Sequence, residues 1–368
     1  MPIIVISFDG VGDTEFEKIA ADPINYPNIA KFKRQSFYQG SVKTVFVSNT
    51  YPIHTTISTG KLPKDHGVIS NYVGNGAQRR WVQHSKHIKT QTIWDAARKR
   101  GLSTAAIIWP VTYGAKIKWN IPEIHVKKGE KQDAFKRSRE LKCKAAVYLD
   151  CFSACVARYL IKSKRPDLTL IHLVAYDTIR HAAGSKPGAV TTARKSLDNS
   201  LGKILDAAEG HTVLVFSDHT HLDVAETIDL KRLFGANVYE QCGGSAFLKK
   251  PINNPENYPW FKRSLTQEEM KGSGYSELAA FGVAAKPGYN FGTGSNKSDH
   301  GYPADYENYK VFYAVRGAGF SPNTKITGAF GDIRDITAII DRNLGLGILS
   351  RSVRKIEVNT GADHLHRR

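Results

Sequence analysis

Ser48-Asn49-Thr50-Tyr51-Pro52-Ile53-His54-Thr55-Thr56-Ile57-Ser58-Thr59-Gly60 is the stretch whose reading decides the fold. Before it, Val45, Phe46 and Val47 read as the end of a short strand spanning Val42 to Val47. Pro52, two residues past Thr50 and followed by a polar Ser/Thr-rich run, reads as the start of a helix. Thr50 is therefore expected at a helix N-terminus. Backbone N–H groups there lack intrahelical partners and the helix dipole is positive, so the position suits a phosphate-like anion. A hydroxyl placed there can attack what binds there. An ordinary threonine N-cap has the same local pattern, so the argument must come from the rest of the chain.

Working outward, Ile3 to Phe8 is a continuous apolar run ending in Asp9-Gly10, the pattern of a strand buried on both faces. Helical pieces broken at Pro23 and Pro27 follow, to about Phe37. Thr92 to Arg100 has helical spacing, Ser103 to Trp109 reads as a strand, and a long helical pattern covers about Gln132 to Lys162. Asp167 to Ala175 is expected as a buried strand ending in Tyr176-Asp177, Ala189 to Ala208 as an amphipathic helix, and Thr212 to Phe216 as a strand ending in Ser217-Asp218-His219. A strand over Lys310 to Val315 and a helix over Asp332 to Asn343 close the pattern. This alternation predicts an α/β fold with a mostly parallel central sheet flanked by helices. Residues 1–350 are expected as one catalytic domain. Within it, 220–297, rich in Gly, Pro and Asn breaks, is expected as a small inserted cap subdomain, and 351–368 as a tail. The polar run from Gly67 to His87 is expected as an excursion over the site.

The 368 residues carry 52 Lys+Arg against 34 Asp+Glu, a formal charge of +18, which favours an anionic partner. Met1-Pro2-Ile3 enters a strand directly, without the charged and apolar regions of a signal peptide, so a cytoplasmic location is expected, or a periplasmic or secreted one if a leader has been removed. No run approaches the roughly 18 apolar residues of a membrane span. Cys143, Cys151, Cys155 and Cys242 are too few for a disulfide framework. The first three share a helix face at spacings of eight and four, and buried thiols are expected there rather than a metal site.

Asp9, Asp177 and Asp218 each stand at the end of an expected strand. In an open parallel sheet ligands bind at the strand C-termini, so three carboxylates should converge beside Thr50. Such a cluster is costly unless compensated, and a divalent metal removes the problem. His181 lies four residues after Asp177, His219 adjoins Asp218, and His300 stands in a late Asp-His-Gly-Tyr run. Oxygen and imidazole donors without thiolate suit Zn²⁺, with Mn²⁺ or Fe²⁺ as alternatives.

The order Asp9-Gly10, Thr50-Tyr51-Pro52-x-His54, Gly60-x-x-Pro63-x-x-His66-Gly67, Asn71, Trp109-Pro110, Asp177-x-x-x-His181, Ser217-Asp218-His219 and His300-Gly301-Tyr302 resembles the type I phosphodiesterase/nucleotide pyrophosphatase family of the alkaline phosphatase superfamily. The resemblance spans about residues 3 to 302. Thr220-His221 departs from it, standing where the family usually has Gly-Met. The resemblance implies an alkaline-phosphatase-like fold and two zinc ions, one held by Asp177, His181 and His300, the other by Asp9, Asp218, His219 and the Thr50 oxygen. It implies that Thr50 is the nucleophile of a phosphodiesterase or pyrophosphatase reaction through a covalent phosphothreonine, with Asn71 and the Thr50 backbone N–H holding a nonbridging oxygen.

A sulfatase of the superfamily needs Cys or Ser in a Cys/Ser-x-Pro-x-Arg motif, and Thr50 cannot form the required aldehyde. A phosphonate C–P hydrolase such as a phosphonoacetate hydrolase remains the alternative, with a phosphomonoesterase beside it. No Arg falls between Arg34 and Arg79 to hold a monoester dianion near Thr50, which favours diesters, unless the excursion folds Arg79 or Arg80 back onto the site. The substrate is expected to be a small phosphodiester or nucleotide-like molecule. Tyr51, Tyr72 and Tyr113 are candidates to stack on it. No helix-turn-helix, zinc-finger or RNP-type signature points to specific nucleic-acid recognition. The oligomeric state is left open.

Overall fold

The computed structural model describes residues 1–74, 79–123, 139–317, 319–327, 331–349 and 357–359. The central sheet has seven strands: β1 Ile3–Phe8, β2 Phe37–Val42, β3 Thr104–Ile107, β4 Trp119–Ile121, β5 Leu168–Leu173, β6 Thr212–Phe216 and β7 Val311–Arg316, in the order β2-β7-β6-β1-β5-β3-β4. The β6-β1-β5-β3-β4 portion is parallel throughout. β7 runs antiparallel to both neighbours. The fold is thus α/β with a mostly parallel central sheet flanked by helices, as the alternation predicts.

Strand β1 shows why. Its side chains alternate between two cores: Ile4, Ile6 and Phe8 pack on one face, Ile3 and Val5 on the other. The first face is covered by α1 (Asp13–Ala20), α2 (Pro27–Arg34), α5 (Arg139–Lys164), α6 (Ala175–Ala183) and α7 (Pro187–Leu205). The second is covered by α3 (Thr50–Thr59), α4 (Ile93–Lys99) and α8 (Asp335–Leu344).

Several expectations need correcting. Val45 to Val47 is not a strand; the strand is Phe37–Val42, and the chain then runs irregularly to Asn49. Its alternation is real but has another cause, since Val45 packs in the core beneath the central sheet and Val47 in the separate core around the small sheets. Asp177 does not end a strand but lies in the first turn of α6. Trp119–Ile121, for which the apolar pattern predicts no element, is the edge strand β4. Cys155 is exposed and Cys151 half-buried, with Lys203 Nζ 3.1 Å from the Cys151 sulfur, so these are not buried thiols. The side chain of Cys143, the helical expectation over 132–138 and most of the expected tail fall outside the described residues.

Residues 222–299 leave the main sheet. They build an antiparallel four-stranded sheet from Val238–Cys242, Ser245–Leu248, Phe281–Ala285 and Phe261–Ser264, and a three-stranded one from Leu222–Ile228, Gly288–Phe291 and Ser298–Asp299. These surround their own apolar core, which includes Phe247, Trp260, Tyr275 and Phe291. Among the described residues no helix is long and apolar enough to cross a membrane.

Candidate metal and phosphoryl-transfer site

Helix α3 begins at Thr50 and ends at Gly60, whose φ of 67° places it in the left-handed region that glycine tolerates. Every residue of α3 is buried, although more than half are polar. The hydroxyls manage this by bonding within the helix: Thr55, Ser58 and Thr59 each donate to the carbonyl four residues earlier, at 2.8, 2.6 and 2.8 Å. His54 fixes the first turn, with Nδ1 2.8 Å from the Thr50 carbonyl and Nε2 3.0 Å from Ser7 Oγ on β1. Burial pushes this imidazole down to about 3, which keeps it neutral.

Asp9, Asp218 and Asp177 come from chain segments that follow the adjacent strands β1, β6 and β5. Three overlapping groups of potential ligand atoms result among the described residues: Asp9-Asp218-His219, Asp177-His181-His300 and Asp177-His219-His221, of which the first two contain the expected ligands. In the first, His219 Nε2 lies 3.2 Å from Asp9 Oδ1, 3.4 Å from Asp218 Oδ2 and 3.3 Å from Thr50 Oγ1. In the second, Asp177 Oδ1 lies 3.3 Å from His181 Nε2 and 4.0 Å from His300 Nε2. The rings of His219 and His300 stack at 3.9 Å and join the groups. All seven expected metal-site residues are therefore brought together. Asn71 also lies beside them, its Oδ1 accepting the Tyr51 backbone N–H at 2.9 Å.

Two buried oxygens, Asp9 Oδ1 and Asp218 Oδ2, have no hydrogen-bond donor. Buried carboxylate oxygens are rarely left so, and both face the same imidazole, so the donor set fits a divalent cation. The ring orientations agree. His181 Nδ1 bonds the Ser298 carbonyl at 2.9 Å and His300 Nδ1 the Ser48 carbonyl at 3.1 Å, leaving each Nε2 facing the crevice.

The electrostatics express the same crowding. Burial would lower His181 and His219, but Asp177 holds the first at about 10, and Asp218 with Asp9 holds the second at about 9. Burial and then Asp9 raise Asp218. Burial would raise Asp177 too, but His181 and His221 hold it well below the usual carboxylate range. Burial, with His219 and His181 beside it, pushes His300 down to about 3. Protons on imidazoles here supply positive charge that a divalent cation would supply instead.

Residue reasoning missed two partners, His172 and His221. His172 Nε2 lies 2.9 Å from Asp9 Oδ2, and Asp9 outweighs burial to raise this imidazole to about 9. Its signal was a lone ionisable residue in the apolar run Leu168–Leu173. His221 Nε2 lies 2.8 Å from Asp177 Oδ1; its signal was the Asp218-His219-Thr220-His221 spacing. Arg79 lines the site pocket, its guanidinium 3.8 Å over the Tyr72 ring and 3.4 Å from Glu240 Oε1. The excursion thus does bring an arginine near, engaged by a carboxylate. Tyr51 is not a stacking platform for a ligand, being 1% exposed and packed on Trp81. Tyr72 lines the pocket.

That pocket, of about 230 Å³, opens between Asn49, Asn71, His300 and the small sheets, and a larger cavity of about 830 Å³ adjoins it through Ser70, Tyr72, Arg79 and Glu240. Where the small sheets meet the site, two glycine backbones cross. A Cβ at Gly243 (φ 66°) would lie 2.1 Å from the His300 carbonyl oxygen, and one at Gly301 (φ 86°) 1.9 Å from that of Cys242. Only glycine permits this approach.

Compared with known proteins, residues 3–251 match the family described as type I phosphodiesterase / nucleotide pyrophosphatase. Ectonucleotide pyrophosphatase/phosphodiesterase family member 3 of Mus musculus is 25% identical over 231 residues, 59% of this chain and 24% of that protein. The chain thus matches about a quarter of that relative's length. Among solved structures, murine ectonucleotide pyrophosphatase/phosphodiesterase 5, in an inactive form with AMP, superposes with a TM-score of 0.69 at 16% identity, covering 95% of this chain and 96% of that one. Phosphonoacetate hydrolase of Sinorhizobium meliloti, with phosphonoformate, does so at 0.68 and 15%, covering 94% and 96%. At such identities these likenesses establish a shared fold.

Proposed function

The chain belongs to the type I phosphodiesterase/nucleotide pyrophosphatase family, and from that premise we propose that it hydrolyses phosphodiester or phosphoanhydride bonds through a phosphothreonine on Thr50. The observation that carries this reading is the position of Thr50 Oγ1, at the N-terminus of α3 and 3.3 Å from His219 Nε2 within the Asp9-Asp218-His219 group.

Asp9, Asp218, His219 and Thr50 would hold one divalent ion and Asp177, His181 and His300 a second, with zinc the best match to the donors and manganese or iron as alternatives. Such ions supply acidification of a hydroxyl and neutralisation of phosphoryl charge. The Thr50 oxygen forms its bond to phosphorus as the bond to the leaving oxygen breaks, and water then cleaves the Thr50–phosphorus bond. Two in-line displacements give net retention at phosphorus. The N-terminus of α3 and Asn71 hold nonbridging oxygen. Residues 220–297 act as the cap over the leaving group, a reading supported by Glu240, Gly243 and Asn290 in the pocket wall. Tyr72 offers the face on which a base or another planar group can stack.

Diester preference is supported by the engagement of Arg79, which lies 3.4 Å from Glu240 and over the Tyr72 ring and so is already paired rather than free to hold a second phosphate charge. The test is kcat/KM of the zinc-loaded protein for nitrophenyl phosphate, a nitrophenyl phosphodiester and phosphonoacetate at one pH. The diester should lead. A monoester lead above about tenfold, some 1.4 kcal/mol in transition-state binding, would make the protein a phosphatase, and phosphonoacetate turnover alone would make it a C–P hydrolase.

A further inference from the structure

His221 stands two residues beyond the Asp218-His219 pair and can donate a proton from a ring nitrogen. Its side chain is fully buried and its Nε2 lies 2.8 Å from Asp177 Oδ1. This is closer than the 3.3 Å of His181 and the 4.0 Å of His300 to the same oxygen. On the far side of the ring, Nδ1 lies 3.0 Å from Ser298 Oγ. Ser298 also accepts His181 Nδ1 on its carbonyl, at 2.9 Å. One residue therefore orients two imidazoles about one carboxylate oxygen.

The backbone makes room for this arrangement. A Cβ at Gly10, where φ is 74°, would lie 2.8 Å from both Cδ2 and Nε2 of His221, and one at Gly12 would lie 2.1 Å from Thr220 Oγ1. The Thr220-His221 pair thus needs glycine at both positions opposite it.

We propose that His221 is a positioning residue for Asp177: Ser298 donates its hydroxyl proton to Nδ1, and Nε2–H donates to Oδ1, holding that oxygen toward His181 and His300. The proposal rests on the reading that Asp177, His181 and His300 hold a metal ion. His221 acts through the carboxylate and is not itself a ligand. It also falls within ligand distance of Asp177 and His219, but its Nδ1 contacts Ser298 Oγ and its Nε2 the Asp177 oxygen itself, so both ring nitrogens have hydrogen-bond partners. Hydrogen bonds of this kind restrict the rotation of a ligating carboxylate, and their removal typically weakens metal binding by about 10–100-fold.

The test titrates metal-free, full-length protein with Zn²⁺ against a chromophoric chelator, and records the visible absorption of the Co²⁺ form. Wild type should bind two equivalents. His221→Ala and His221→Met should weaken one equivalent by about 10–100-fold and leave the other unchanged. His221→Gln, whose amide N–H can reach Asp177, should recover most of the loss, and its Co²⁺ spectrum should match wild type. Ser298→Ala should act in the same direction as His221→Ala, with a smaller effect. Two outcomes would overturn the proposal alone: both equivalents within about threefold of wild type in His221→Ala, or equal impairment of the Ala and Gln variants with an altered spectrum, which would make His221 a ligand. Wild-type protein that binds no zinc would overturn the functional reading with it.

Discussion

In the proposed reaction Thr50 draws its reactivity from position rather than from composition. The threonines at 55 and 59 are as buried as Thr50, but their hydroxyls are spent on carbonyls four residues back, while Thr50 Oγ1 faces His219. Thr50→Ala should therefore lower kcat by several orders of magnitude and leave zinc content nearly unchanged, since three other side chains hold that ion. Thr50→Ser should keep measurable turnover. Turnover of Thr50→Ala within about tenfold of wild type, with zinc content measured on the same sample, would remove Thr50 from the reaction. At this scale the sequence was most legible where chemistry is written in residue type: three Asp and three His residues follow strands of the central and small sheets, directly or, for Asp177 and His181, within the helix that comes next. His172 and His221 were illegible because a single histidine in an apolar strand, or two residues past a motif, is ordinarily a satisfied core group. Tyr51 misled for the opposite reason: adjacency in sequence to the nucleophile put it behind the helix, against Trp81.

The elements were legible where a strand is covered on both faces of the central sheet and illegible where a short segment bridges that sheet and the small ones. Ile3–Phe8 and Thr212–Phe216 are fully buried between the two cores of the central sheet, so a continuous apolar run has one interpretation. Val45 and Val47 alternate between two cores, which imitates a strand without pairing. The short β4 was hidden because three half-buried edge residues leave little pattern. Helix α6, which carries Asp177 and His181, begins without a side-chain cap of its own. Asp150 from α5 supplies one at long range, accepting the Val174 and Ala175 N–H groups at 2.7 and 3.2 Å. Burial outweighs those bonds and pushes the Asp150 carboxyl up to about 7. Between the ordinary carboxylate value and pH 7 the folded state therefore holds a proton that the unfolded state has lost, and this contribution to stability falls as pH rises through that window, by up to about 1.4 kcal/mol per pH unit. Asp150→Asn keeps an acceptor for the N–H groups and cannot titrate. Denaturant unfolding from pH 4 to 8 should be flatter for the variant than for wild type, and identical slopes would show that Asp150 is ionised throughout.

Over the whole molecule, the candidate metal-site residues span positions 9 to 300 and would, with an ion bound, tie the central sheet to the small sheets. Dialysis against a chelator should abolish turnover and Zn²⁺ or Mn²⁺ should restore it, whereas full activity in protein shown by elemental analysis to be metal-free would end the metal reading. Chelation should also loosen structure, because an ion bound only to the folded form stabilises it by mass action. The crossing of Gly243 and Gly301 says where. Gly244 N–H donates to the His300 carbonyl at 2.8 Å, and Phe291 N–H to that of Gly243, so the small sheets cannot lift from the pocket without dragging a metal-site histidine. On the proposed reading, cap and ligand then share one hinge pin. In kinetic terms, cap opening and ion release become a single event: under excess chelator, the amides of Gly244 and Phe291 should exchange with deuterium at the rate at which zinc leaves, and protection should return as zinc is restored.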